Sequence, residues 1–160
     1  MNMDTFNNLN NIYKPLCDKS REISDELKKL GYQIRSGFYN NHYVRDGDGF
    51  VVEHFPIPVL SISNVGDIGV DVNSVWVEFV VSKDKAVSLD YPALTQAYKV
   101  EVYGADDYLH DFYNTESDLQ FVVERIQKSN ESKICITVTF DSDCRPKELV
   151  DLVKWVTKHD

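Results

Sequence analysis

The sequence predicts an α+β fold in a single domain over residues 1–160: a mostly antiparallel, curved sheet packed with N-terminal, late-chain and C-terminal helices. Three observations predict it. Apolar residues recur at helical spacing near both ends of the chain and again around residue 122. Between these stretches the period changes to two, and the connections are short, which favours antiparallel pairing of neighbouring strands. A chain of 160 residues with 42% hydrophobic content buries about 68 to 70% of its unfolded surface, enough for one core without disulfides or a structural metal.

Taken in order, Phe6, Leu9, Ile12, Tyr13, Leu16, Ser20, Ile23, Leu27 and Leu30 form the stripe of an amphipathic helix. Pro15 is expected to divide it into a short piece and a helix from about 15 to 30, because proline removes a hydrogen bond and clashes with the preceding turn. Gly31 suits the left-handed position that ends helices. Tyr32, Ile34, Ser36 and Phe38 then alternate as a strand, and residues 42–45 and 50–53 flank Asp46-Gly47-Asp48-Gly49 as a hairpin. Pro56 and Pro58 are expected to interrupt the sheet, each lacking a ladder donor, with a strand restarting near Val59. Residues 59–63, 68–72, 75–82 and 98–104 read as further strands, with Asn73-Ser74 as a tight turn. In the third of these Val75, Val77, Phe79 and Val81 share one face and Trp76, Glu78 and Val80 the other, the pattern of a central, largely covered strand. Thr115 and Asp118 form a capping pair for a helix carrying Leu119, Val122, Val123 and Ile126 and ending near Ser129. Residues 133–140 are a strand, and Pro146 opens a last helix that buries Leu149, Leu152, Val153 and Val156 with Trp155 at its edge.

Charge is unevenly distributed. Residues 46–124 hold 15 acids against only Lys83, Lys85 and Lys99, a net of −12, while the flanks hold 11 acids and 14 bases. The overall charge of −9 opposes attraction to phosphate backbones and anionic lipid, so neither nucleic acid nor a membrane is an expected partner. The longest apolar runs, Val75-Trp76-Val77 and Phe79-Val80-Val81, fall far short of a span of about 18 residues. The first residues lack the basic and apolar stretches of a secretory signal, making cytoplasmic localisation the expectation. Cys17, Cys135 and Cys144 are an odd set with no CxxC pair and read as reduced thiols.

Four constellations could carry chemistry. The Asp46 to Gly49 stretch has two carboxylates two residues apart, but an EF-hand loop needs glycine sixth and a carboxylate twelfth, where this chain has Val51 and Ile57. If the hairpin reverses about Gly47 and Asp48, His42 stands opposite Glu53 and Asn41 opposite His54. An imidazole beside a carboxylate can serve as a general base or half a metal site, with Tyr43 or Arg45 positioning substrate. Asp106, Asp107 and Asp111 surround His110 in a stretch, residues 100–124, that holds seven acids and no Lys or Arg. Tyr103, Tyr108, Phe112 and Tyr113 interleave with it, and aromatic anchors within a charged rim are what protein recognition needs. Cys144 lies beside Arg145 near a helix start, which favours a thiolate, while Asp141 and Asp143 oppose it. No GxSxG, HExxH, GxGxxG or Walker pattern occurs, and no motif calls for a cofactor or a metal.

The segment Gly66-Asp67-Ile68-Gly69-Val70-Asp71-Val72, leading into Val75-Trp76-Val77-Glu78-Phe79, resembles small acidic α+β proteins of uncharacterised bacterial families. The resemblance implies a fold class and brings no activity and no site residue. The reading that follows from the residues is a non-enzymatic protein-interaction module, adaptor, chaperone-like or inhibitory. It would capture a basic protein through Asp106, Asp107, Asp111, Tyr108 and Tyr113. A homodimer formed by edge-to-edge strand pairing is compatible with it. The alternative is a small metal-dependent enzyme or hydrolase with its site near His42 and Glu53.

Overall fold

Residues 3–45, 51–104, 111–114 and 122–158 are described by a computed structural model, with side chains over residues 11, 13–38, 57–104 and 122–158 except within the gaps already named. The chain runs α1 (Met3–Lys29), β1 (Ile34–Arg45), β2 (Val51–Ile62), β3 (Gly66–Val70), β4 (Ser74–Ser82), α2 (Lys83–Ser88), α3 (Tyr91–Ala97), β5 (Lys99–Gly104), β6 (Asp111–Asn114), α4 (Val122–Lys128), β7 (Lys133–Asp141) and α5 (Pro146–Thr157). The fold is α+β. The strands form one sheet in the order β1-β2-β3-β4-β7-β5-β6, and every pairing in it is antiparallel.

The first four strands are a meander, as short connections dictate. The order then departs from the mostly sequential one expected. Helices α2 and α3 carry the chain past one strand position to β5, and β7 fills the vacated slot between β4 and β5. Neither short helix is legible as a periodic stripe, because six or seven residues span fewer than two turns. Their signals are caps instead. The Ser82 hydroxyl accepts from the Lys85 N–H at 3.2 Å, and the Asp90 carboxylate from the Ala93 N–H at 3.1 Å.

One face of the sheet carries the core. Ile68 and Val70, Val75, Val77 and Phe79, Val100 and Val102, and Ile134, Ile136 and Val138 are buried there at alternate positions, as period two requires. Ile23 and Leu27 of α1, Ala86 of α2, Ile126 of α4, and Leu149 and Val153 of α5 join them in one cluster. Helix α5 begins where Pro146 predicted, with the Glu148 carboxylate reaching back 2.9 Å to the Arg145 N–H.

Two proline expectations are corrected. Helix α1 runs unbroken through Pro15. Both Pro15 and Asn11, whose carbonyl loses its intrahelical donor, are exposed, so the freed group lies on the solvent side of the helix while Leu16, Ser20, Ile23 and Leu27 are buried on the other. Strand β2 likewise runs unbroken through Pro56 and Pro58, with Pro58 paired to Phe38. Strand β3 pairs only with Val59 to Ile62, so at the prolines the ladder is one-sided. Two residues apart, both prolines turn their missing donors to the same edge.

The turns depend on glycine at two places. At the end of α1, Gly31 has φ +96° and donates 3.0 Å to the Lys28 carbonyl, while the Tyr32 N–H reaches the Leu27 carbonyl at 3.2 Å, a Schellman closure. Gly66 has φ +153°, and a Cβ there would run into the Glu78 carbonyl oxygen of the neighbouring strand. Gly31, by contrast, has open space around it. Gly31→Ala should therefore cost only the backbone term, about 1 kcal/mol, whereas Gly66→Ala should cost more than twice as much because β3 and β4 must part. Urea unfolding of the two variants checks the ranking.

Candidate functional site

The other face of the sheet is built from the alternate positions of the same strands. Trp76, Glu78, Glu101, Tyr103, Thr137 and Thr139 are half-buried there, and Val80 is exposed. The registers align its residues into rows across the strands. One row reads Arg35, Ser61, Asp67, Glu78, Thr137, Glu101 and Asn114, crossing all seven strands without an apolar residue. Within it Asp67 stands directly opposite Glu78, a like-charge pair that destabilises a sheet where an opposite-charge pair would help.

Aromatic residues flank that row on both sides. Trp76 lies opposite Gly69, and its indole covers the glycine so closely that a Cβ there would collide with the ring. Tyr103 donates to the Glu78 carboxylate at 2.8 Å and lies 3.0 Å from the Thr137 hydroxyl. Burial raises the Tyr103 phenol well above its ordinary value, with Thr137 opposing and Glu78 adding to the shift. The neighbouring Cys135 is buried, which pushes its thiol up to about 11, and the negative charges of Glu78 and Glu131 act in the same direction. Both groups are thus neutral at physiological pH, and neither supplies an anionic nucleophile. What the face offers is fixed carboxylates, hydroxyl groups and flat aromatic surface, the elements of a binding surface.

The residues singled out from sequence fall in different places. The β1–β2 pairing bears out the hairpin, while its Asp46 to Gly49 turn lies outside the described residues. The expected register is corrected: His42 pairs with Phe55, Glu53 with Val44, and His54 with Tyr43, not with Asn41. A register irregularity between Val44 and Arg45, where one residue of β2 is skipped, adds to the displacement from the symmetric reversal and leaves positions 42 and 53 diagonal to each other. Asp106, Asp107, Tyr108 and the Thr115/Asp118 capping pair also lie outside the described residues. Position Asp111 pairs with Tyr103, an open-face residue, whereas position Tyr113 pairs with Val102, a core residue, so β6 sets these two on opposite faces. Cys144 is buried, and burial raises its thiol in spite of Lys19 nearby, contrary to an activated thiolate. Among the described residues no group of three or more His, Cys, Asp or Glu is gathered as a metal site, and no helix is long and apolar enough to cross a membrane.

The sequence shows Trp76 and Glu78 alternating away from the core, but not the row they belong to. That row exists only once β7 is placed between β4 and β5.

A family model matches residues 7–151. The chain belongs to DUF3201, a family of proteins of unknown function. Among solved structures, a conserved hypothetical protein from Pyrococcus furiosus is similar to it, with 25% identity and a TM-score of 0.66 over 99% of this chain and 95% of that one. No curated protein matches. Nearly the whole of this DUF3201 chain, its open face included, therefore lies within the shared fold.

Raised thiol pKa values make a pH prediction for this DUF3201 protein. A thiol held protonated in the folded state contributes stability that is complete below about pH 9 and is lost as the pH rises towards 11. Urea-unfolding free energy should fall over that window, and Cys135→Ser should flatten the fall. Glu78→Gln, by removing a negative charge, should move the Cys135 alkylation midpoint down, read as iodoacetamide rate against pH in a chain with Cys17 and Cys144 replaced.

Proposed function

We propose that this DUF3201 protein is a non-enzymatic recognition module that captures a basic segment of another protein on the open face of its sheet. The observation that supports the reading most is the uninterrupted polar row with Asp67 opposite Glu78 and Glu101 beyond Thr137. Such a row costs stability while unoccupied, and the Lys or Arg side chains of a partner relieve it. Trp76 and Tyr103 border the carboxylates and supply the aromatic contact area that concentrates binding energy at interfaces. Asp111, paired with Tyr103, continues the acidic band to the sheet edge, and Asp106, Asp107 and Tyr108 precede it in the chain. An adaptor, chaperone-like or inhibitory role would use this surface in the same way.

Neutralising the row separates binding from folding. Asp67→Asn should stabilise the isolated protein by a few tenths of a kcal/mol, more at low salt, because it removes the like-charge pair. The triple variant Asp67→Asn, Glu78→Gln, Glu101→Gln should lose its crosslinked partners in the host cell, and so should Asp106→Asn, Asp107→Asn, Asp111→Asn. Crosslinking mass spectrometry that returns the same partners for wild type and both triples would sink the proposal.

A further inference from the structure

At one end of the sheet, a groove of about 660 Å³ opens between the α1–β1 connection, the β2–β3 turn, the last residues of β4, the first of β7 and the C-terminal end of α5. Its volume lies within the roughly 300 to 1,000 Å³ of small-molecule sites. Its accessible apolar lining comes from Tyr32, Val65, Val80 and Val81, with the buried Phe79 and Val156 beneath them, and Lys85 and Lys133 line it as well. In a chain of net charge −9 this concentration of positive charge is against the general trend. Among the described residues, ion pairs join neighbours three or four apart on helices, and none includes Lys85, Lys133 or the nearby Lys158. Lys83, next in the chain to the groove, is by contrast tied to the Ser129 carbonyl at 2.6 Å. Burial, with the Lys158 charge adding to it, lowers the pKa of Lys85. Lys85 and Lys133 thus both line the groove, and among the described residues no ion pair engages either one.

The walls are held in place before any ligand arrives. In the β2–β3 turn the Ser63 N–H donates to Gln33, the Val65 N–H to Ile62, and the Val65 carbonyl accepts from Val80. Asn64 adopts the left-handed conformation that asparagine tolerates, and Gly66 fills a position no other residue fits. On the opposite wall the Thr157 hydroxyl donates 2.7 Å to the Val153 carbonyl, so Tyr32, 2.6 Å from Thr157, donates to it in turn. Fixed walls reduce the ordering cost of binding.

We propose that this groove binds a small organic molecule bearing a compact oxyanion, phosphate or carboxylate, with Lys85 and Lys133 holding the anion and Val65, Val80 and Val81 taking its apolar body. The proposal is independent of the acidic row on the open face: the groove meets that face only at Val80, and none of Asp67, Glu78 or Glu101 lines it. The test is an NMR titration of the full chain with phenyl phosphate, benzoate, inorganic phosphate and phenol. Phenyl phosphate or benzoate should saturably shift the amides of 63–65, 81–82, 133 and 157, the tighter of the two assigning the oxyanion, with inorganic phosphate weaker and phenol inert. Lys85→Gln with Lys133→Gln should weaken that binding about tenfold or more while leaving the remaining amide spectrum in place. The single substitutions give the same reading, each with a smaller loss, should the double variant not fold. The proposal is overturned if no saturable shift appears at these amides up to about 10 mM, if phenol binds as well as the anions, or if the lysine substitutions leave the affinity unchanged.

Discussion

Nine consecutive cross-strand pairs between β4 and β7, from Ser74 opposite Asp141 to Ser82 opposite Lys133, join the N-terminal meander to the β5–β6 hairpin. About 50 residues separate the two strands in the chain, so closing that loop costs entropy before a single pair is made. The repayment is concentrated on one face, where Val75, Val77 and Phe79 meet Phe140, Val138 and Ile136, all buried. The helices then have a continuous apolar surface to cover. Without this pairing there are two small sheets, each with an exposed edge and half a core.

The same pairing fixes the polar chemistry. A slip of one residue in β7 would turn Ile136 and Val138 to the open face and bring Cys135 and Thr137 into the core, so burial of the isoleucine and valine holds Thr137 between Glu78 and Glu101. Tyr103 reaches Glu78 only because β7 spaces β5 from β4 by one strand. At the far end of the ladder, Ser82 opposite Lys133 brings that lysine to the groove beside the start of α2. The core, the acidic row and the lysine groove are thus three consequences of one register.

What the sequence makes legible follows from range. The stripe from Leu16 to Leu27, the alternation from Val75 to Val81 and from Ile134 to Phe140, and the Pro146 start of α5 are local patterns, and each is present in the fold. The prolines at 15, 56 and 58 mislead because a local rule prices a lost hydrogen bond without knowing whether water or an unpaired edge stands on that side. The insertion of β7 is decided by tertiary pairing and leaves no trace in spacing. For the same reason the open face is half legible: Glu78 and Trp76 point away from the core by alternation, whereas their neighbours Asp67 and Thr137 are set by register. The His42–Glu53 pairing fails on register too, through the irregularity where Val44 pairs with Glu53 but Arg45 with Val51, which symmetric counting does not include.

Both candidate surfaces oppose like charges, Asp67 against Glu78 on the open face and Lys85 against Lys158 at the groove. Each arrangement is unfavourable by itself, and side chains on exposed helices would swing apart to relieve it. Here the backbone prevents that at Glu78, whose carbonyl packs against Gly66 and whose carboxylate is held by Tyr103, and Asp67 follows Gly66 directly in β3. On the groove side the same Gly66 turn and the Ser82 cap of α2 hold the walls. A ligand of the kind proposed for either surface would therefore meet like charges already held in place, and would bind without having to order the site first.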